Sequence, residues 1–135
     1  MRKKIYDIFI GMGGTDSTNI NIPILHNIPD SLTVCLVTTS ANTNLDELKK
    51  YVNNKKNISL HVNSNEIAKL MNQSKFAIIT PSVMVHEVLF MNIPFLAIKT
   101  ADNQDDIYTY LKQKNYKVFE NFEKWYNEQE KGAIW

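Results

Sequence analysis

Three of the chain's four glycines fall within one four-residue window, in Gly11-Met12-Gly13-Gly14-Thr15-Asp16-Ser17, directly after the apolar run 5–10. Glycine accepts positive φ and lets a backbone approach an anion closely. A loop of this kind between a strand and a helix also presents helix-start N–H groups and the positive end of the helix dipole. Gly13, Gly14, Thr15 and Asp16 are therefore candidate phosphate and ligand contacts, set against the plainer reading of a tight strand-to-helix turn. No Gly-Lys-Ser/Thr follows, so this is not a Walker loop. The third glycine of a dinucleotide fingerprint would fall at Asp16, whose charge would repel a pyrophosphate. The second apolar run ends in Thr38-Thr39-Ser40, with no acid to hold an adenosine ribose. Both features argue against a nicotinamide dehydrogenase.

A second constellation is Thr80-Pro81-Ser82-Val83-Met84-Val85-His86-Glu87. Pro81 stops a strand, and Ser82 can cap the next helix or donate to a phosphate. Glu87, in the first turns of that helix, can accept from both hydroxyls of a ribose. It can equally complement the helix dipole, and position alone does not decide between these. After the fifth apolar run comes Ala101-Asp102-Asn103-Gln104. Its side-chain amides can bond sugar hydroxyls, although a simple capping role explains them as well. His26, His61 and His86 have no metal-ligand spacing, and no metal or cofactor is expected. Cys35 lies mid-strand and reads as a small core hydrophobe. There is no G-x-S-x-G elbow.

Six short β-type runs position these loops, at 5–10, 32–37, 58–62, 76–79, 95–98 and 117–119. Runs one, two, four and five are nearly continuous in apolar character, as strands buried on both faces require. Helical stripes separate them. Leu45, Leu48 and Val52 follow Asn44 as a cap, and Ile67, Leu70 and Met71 follow Ser64 or Asn65. Met84, Val85, Val88 and Leu89 make a third stripe; Ile107, Tyr110 and Leu111 make a fourth, entered through Asp102 or Asn103. Phe122, Trp125 and Tyr126 make the last, and a further helix is expected to open after the glycine loop. Alternation with short connectors predicts an α/β fold, a doubly wound, Rossmann-like parallel sheet of about six strands in one domain, residues 1–135. Ligands of such sheets bind outside the carboxyl ends of the strands, where strand order reverses.

The bulk numbers fit this class. A chain of 135 residues, 44% hydrophobic and 21% charged, is large enough to bury a core. A net charge of +1 without a basic run lacks the footprint of a nucleic-acid binder. No apolar stretch is long enough for a membrane span. The start does not read as a signal peptide, and a single cysteine fits a reducing compartment, so a cytoplasmic location is expected.

Taken in order, these motifs resemble the C-terminal domain of the two-domain GT-B superfamily. The likeness is greatest to the UDP-sugar hydrolases of pseudaminic acid biosynthesis, relatives of the MurG-type N-acetylglucosaminyltransferases. Gly11-Met12-Gly13-Gly14-Thr15-Asp16, Ser82 to Leu89, Asn92-Ile93-Pro94 and Asp102-Asn103-Gln104 carry it, with Asn57-Ile58, Asn65 to Met71 and Ser74. The resemblance implies a UDP-sugar or UDP as ligand. Gly13, Gly14, Thr15 and Asp16 would face the diphosphate and sugar, and backbone at Val62 would read the uracil. Ser82, Val83 and Met84 would line the phosphates, Glu87 would hold the ribose, and Asn103 and Gln104 would reach the sugar.

Ser82, Val83 and Met84 stand where the family commonly has a Gly-Ser-Thr-like run, so two hydroxyl donors are lost and contacts would fall to backbone N–H groups. The family's general-base histidine belongs to an N-terminal domain whose motif is not found in these residues. By this likeness the chain is the C-terminal half, expected to bind weakly and not to turn over alone, with a separate N-terminal domain or partner chain completing the site. The alternative is a non-catalytic or degenerate nucleotide-binding module that docks on a partner chain.

Overall fold

The computed structural model describes residues 4–13 and 19–130. Its six parallel strands are β1 (Tyr6–Gly11), β2 (Val34–Thr38), β3 (Ile58–Val62), β4 (Ser74–Ile79), β5 (Phe95–Ile98) and β6 (Val118–Phe119). They lie in the order β3-β2-β1-β4-β5-β6. Strand order therefore reverses between β1 and β4, which pair from Tyr6↔Ser74 to Gly11↔Ile79. This is the expected doubly wound sheet.

The helices are α1 (Asn21–His26), α2 (Leu45–Asn53), α3 (Ile67–Asn72), α4 (Met84–Phe90), α5 (Asp105–Gln113) and α6 (Phe122–Glu130). Strand alternation divides the core into two layers. Ile8, Ile10, Val34, Leu36, Ile78, Leu96 and Ile98 pack with Ile24 and Leu25 of α1, Leu48 of α2 and Trp125 of α6. Phe9, Cys35, Val37, Ala77, Ile79, Phe95 and Ala97 face Leu70 and Met71 of α3, Val85 and Val88 of α4, and Leu111 of α5. β1, β2, β4 and β5 thus contribute side chains to both layers, which is why their sequences read as nearly unbroken apolar runs.

Several local expectations change. The sequence-based cap Asn44 holds the cap position of α2 without a side-chain cap bond. Buried Asn42 shapes that turn instead, accepting from the Asn44 N–H at 2.7 Å and donating to Thr38 Oγ1 at 3.1 Å. At α3 the cap position is Glu66, whose N–H donates to Ser64 Oγ at 3.0 Å. A 3-10 turn, Asp102–Gln104, precedes α5, whose cap position is Gln104. Tyr110 is not a core residue. It is 49% exposed, with Lys114 Nζ 5.9 Å from its ring, because Leu111 and Ile107 already seat α5 on the sheet.

Candidate functional site

The carboxyl edge of the sheet gathers the loops after β1, β4 and β5. β1 leads into Gly11, Met12 and Gly13, and Gly13 has φ +92°, a conformation that favours glycine. Among the described residues, nothing lies within 4 Å of the position a Gly13 Cβ would take. Gly14, Thr15 and Asp16 lie outside the described residues. The described residues resume at Asn19, and α1 begins at Asn21.

Beside it, β4 ends at Ile79, and the N–H of the next residue, Thr80, donates to the Gly11 carbonyl at 3.3 Å. Ser82 does not cap α4: the cap position is Val83, without a side-chain bond. The Ser82 and Thr80 hydroxyls are 2.9 Å apart, and the Ser82 N–H donates to the Thr80 carbonyl at 2.8 Å. Val85 and His86 donate back to the carbonyls of Ser82 and Val83. Among the described residues, the N–H groups of Val83 and Met84 have no acceptor and are the open donors of the first turn. Val83 itself is 75% exposed. The Met84 side chain turns inward onto Gly11. Glu87 is exposed in the first turn of α4, where its carboxylate has no ion pair among the described residues.

Two further loops lie along the same edge. Val62 ends β3 opposite Thr38. The next residue, Asn63, has φ 57°. It ties the β2 and β3 loops together, accepting from the Ser40 N–H at 2.9 Å and donating to Ser40 Oγ at 3.2 Å. With strands about 4.8 Å apart, the three steps from β3 to β4 separate Val62 from Ser82 by roughly 14 Å. On the other side, Gln104 accepts the Thr100 N–H at 2.8 Å and donates to Thr100 Oγ1 at 3.2 Å. Its amide is engaged in holding the β5 loop. Asn103 is exposed, and Lys99 pairs with Asp105.

The structure thus puts the loop of Gly13 and the loop of Ser82, Val83 and Met84 at the ends of the adjacent strands β1 and β4, with Val62, Asn103 and Gln104 in loops after other strands of the sheet. Sequence reasoning missed the positioning roles of Met84 and Asn63. In a chain so rich in asparagine, only the place of Asn63 immediately after a strand could have marked it.

No family model matches the chain. A curated relative does. Over 117 residues the chain is 40% identical to the UDP-2,4-diacetamido-2,4,6-trideoxy-beta-L-altropyranose hydrolase of Campylobacter jejuni. The match takes in 87% of this chain and 43% of the relative, so the chain spans less than half the relative's length. The likeness to UDP-sugar hydrolases read from the motifs is supported at the level of the whole sequence.

Other chemistries find little footing. Cys35 is fully buried, and burial pushes its thiol pKa up to about 12, so it is no nucleophile at neutral pH. Among the described residues, no group of three or more His, Cys, Asp or Glu is placed to hold a metal ion. Among those residues, no helix is long and apolar enough to cross a membrane.

Proposed function

We propose that residues 1–135 form one domain, the nucleotide-binding half of a UDP-sugar hydrolase of GT-B architecture, acting on a UDP-linked diacetamido-trideoxyhexose in pseudaminic acid biosynthesis. The carrying observation is the contact of Gly11 with Met84 at the open first turn of α4, where strand order reverses and the glycine loop leaves β1. Similarity to a hydrolase of a UDP-linked diacetamido sugar supports the choice of ligand and reaction. A related glycosyltransferase would use the same half in the same way.

The diphosphate lies over Gly13, together with Gly14, Thr15 and Asp16, and takes its hydrogen bonds from backbone N–H groups of Val83 and Met84 beside Ser82. Glu87 accepts from the ribose hydroxyls, and backbone at Val62 reads the uracil edge. Asn103 reaches toward the sugar from a loop that Gln104 holds in shape. Hydrolysis releases UDP, and negative charge grows on its terminal phosphate as it leaves. Oriented amides stabilise that charge without reorganising, which lowers the barrier. The base that activates water comes from outside these residues, so this half alone binds and does not turn over.

Thermal unfolding with UDP, ADP and NAD tests the reading. A ligand that binds only the folded state stabilises it by mass action, by about 2.7 kcal/mol at a hundredfold excess over its Kd. UDP raises the melting temperature and the adenine nucleotides raise it much less. Equal shifts with ADP would overturn the uridine assignment.

A further inference from the structure

Asn63, Asn92 and Asn115 all hold positive φ, at 57°, 56° and 64°. Two of them close helices. Asn92 and Asn115 sit just past α4 and α5, where the next residues donate back across the last turn, Ile93 to the Val88 carbonyl and Tyr116 to the Leu111 carbonyl. Asn63 closes no helix. It follows β3, and its side chain spans to the loop after β2, with Oδ1 accepting from the Ser40 N–H at 2.9 Å and Nδ2 donating to Ser40 Oγ at 3.2 Å. Its own N–H donates to the Thr38 carbonyl at 3.0 Å. Asn63 and Ser40 are both exposed, so core packing does not account for this clasp. A backbone outlier fixed in that way points to a function.

What the clasp fixes is the backbone of Val62. Among the described residues β3 is an edge strand, paired only with β2. Successive residues of a strand turn their backbone groups to opposite sides. Because the Asn63 N–H is directed at β2, the N–H and C=O of Val62 are directed to the open side. One residue there offers a donor and an acceptor in a fixed order. Uracil presents a donor at N3 beside an acceptor at O4; cytosine presents an acceptor at N3 beside an amino donor. The two patterns are reversed. With the ribose anchored elsewhere, a slide of the Val62 backbone by the spacing of its two groups would let cytosine pair as well as uracil.

We infer that the Asn63–Ser40 clasp sets the preference for uracil over cytosine, with Asn63 a positioning residue that acts through the backbone of Val62. The inference rests on the nucleotide reading above and deepens it. Asn63 needs no contact with the ligand, since both ends of its amide are engaged by Ser40. Its positive φ and its side chain work together: the one turns the chain out of β3, and the other ties that turn to the neighbouring loop.

Calorimetric titration of UDP, CDP and inorganic pyrophosphate into the chain and three variants tests this. In the parent, UDP binds about tenfold more tightly than CDP, the cost of one mispaired backbone group. Asn63→Gly keeps the positive φ and removes the clasp. Its preference for UDP falls about fivefold, the worth of one net hydrogen bond, while pyrophosphate affinity is unchanged. Asn63→Asp still accepts from the Ser40 N–H and hydroxyl at a φ that aspartate tolerates, and it keeps the preference. Its added charge acts equally on UDP and CDP. Ser40→Ala, which removes one of the two bonds and leaves Asn63 in place, lowers the preference about twofold. A preference unchanged in Asn63→Gly or Ser40→Ala, or lost in Asn63→Asp, overturns the inference and leaves the uridine site standing. So does equal weakening of pyrophosphate in Asn63→Gly, which would make the clasp a general support of the fold. A parent that shows no preference for UDP, or binds none of the three ligands, overturns the uridine reading and this inference with it.

Discussion

A Cβ added to Gly11 would lie 2.8 Å from the Sδ of Met84. The end of β1 and the first residue of α4 are thus in contact through the space that glycine leaves, and this contact sets how closely α4 approaches the point where strand order reverses. The same Cβ would lie 3.0 Å from Cε1 of Phe9 and 3.1 Å from Cε of Met84. Gly11→Ala is expected to destabilise the fold by about 1 kcal/mol, since methionine is flexible and only part of the overlap must be absorbed by the backbone. Combined with Met84→Ala, the two changes should cost less than their sum, with a coupling of about 0.5 kcal/mol or more. Denaturant unfolding of the four proteins measures it, and strict additivity would show that the contact does not constrain α4.

Gly13 tests the loop itself. Its φ of +92° strains any side chain, yet a Cβ there meets nothing within 4 Å among the described residues. Gly13→Val should therefore cost the fold about 1–3 kcal/mol of backbone strain, without a packing clash. UDP binding should disappear, because the branched side chain occupies the space the phosphates need. A variant that melts lower but binds UDP normally would reduce the loop to a turn.

At the opposite edge of the sheet, Asp7 ties three strands together. Its carboxylate accepts from the Thr33 N–H at 2.9 Å and the Thr33 hydroxyl at 3.2 Å, and pairs with Lys75 at 3.3 Å. The Thr33 backbone bond and, after it, the Lys75 and Thr33 side chains hold its pKa below the usual carboxylate range against the opposing effect of burial. A depressed folded-state pKa contributes stability that is present above the unfolded value, about 3.9, and is lost as pH falls through the folded value. Asp7→Asn should lower stability at neutral pH and flatten the acid limb below about pH 4. Denaturant midpoints across that range check it; parallel curves for the two proteins would mean the bonds contribute nothing net.

Glu87 separates a ribose ligand from a dipole partner. Glu87→Gln keeps the shape but removes the charge, and should weaken UDP by about 1.5–3 kcal/mol if the carboxylate holds both hydroxyls. The parent should discriminate against 2′-deoxy-UDP and the variant should lose most of that discrimination. If the glutamate only complements the helix, the fold should lose less than about 1 kcal/mol and UDP affinity should hardly move.

The strands and most helices were legible because their signal is periodic: both core layers draw on alternate residues of the same runs, and Leu48, Met71, Val88 and Leu111 seat their helices where the apolar stripes placed them. α1 was harder to place, since Pro23 sits within its six residues and little periodicity survives over so short a span. Asn44 holds its cap position, but the caps of α3 and α5 were misplaced, because asparagine and serine satisfy turns from several positions, as Asn42 and Ser64 do. The reversal point was legible through its glycines. The turn of Met84 onto Gly11 and the engagement of Gln104 by Thr100 were not, for each depends on which residue a side chain meets across the fold.

The most direct measurement is to map UDP onto the labelled chain by backbone amide chemical shifts. The account predicts that the largest changes fall at Gly11, Met12, Gly13, Asn63, Val83, Met84 and Glu87, with Lys55, Asn57, Lys75 and Asn115 unmoved. Changes centred on those last four, or no saturable change at all, would contradict a nucleotide site at the reversal of strand order.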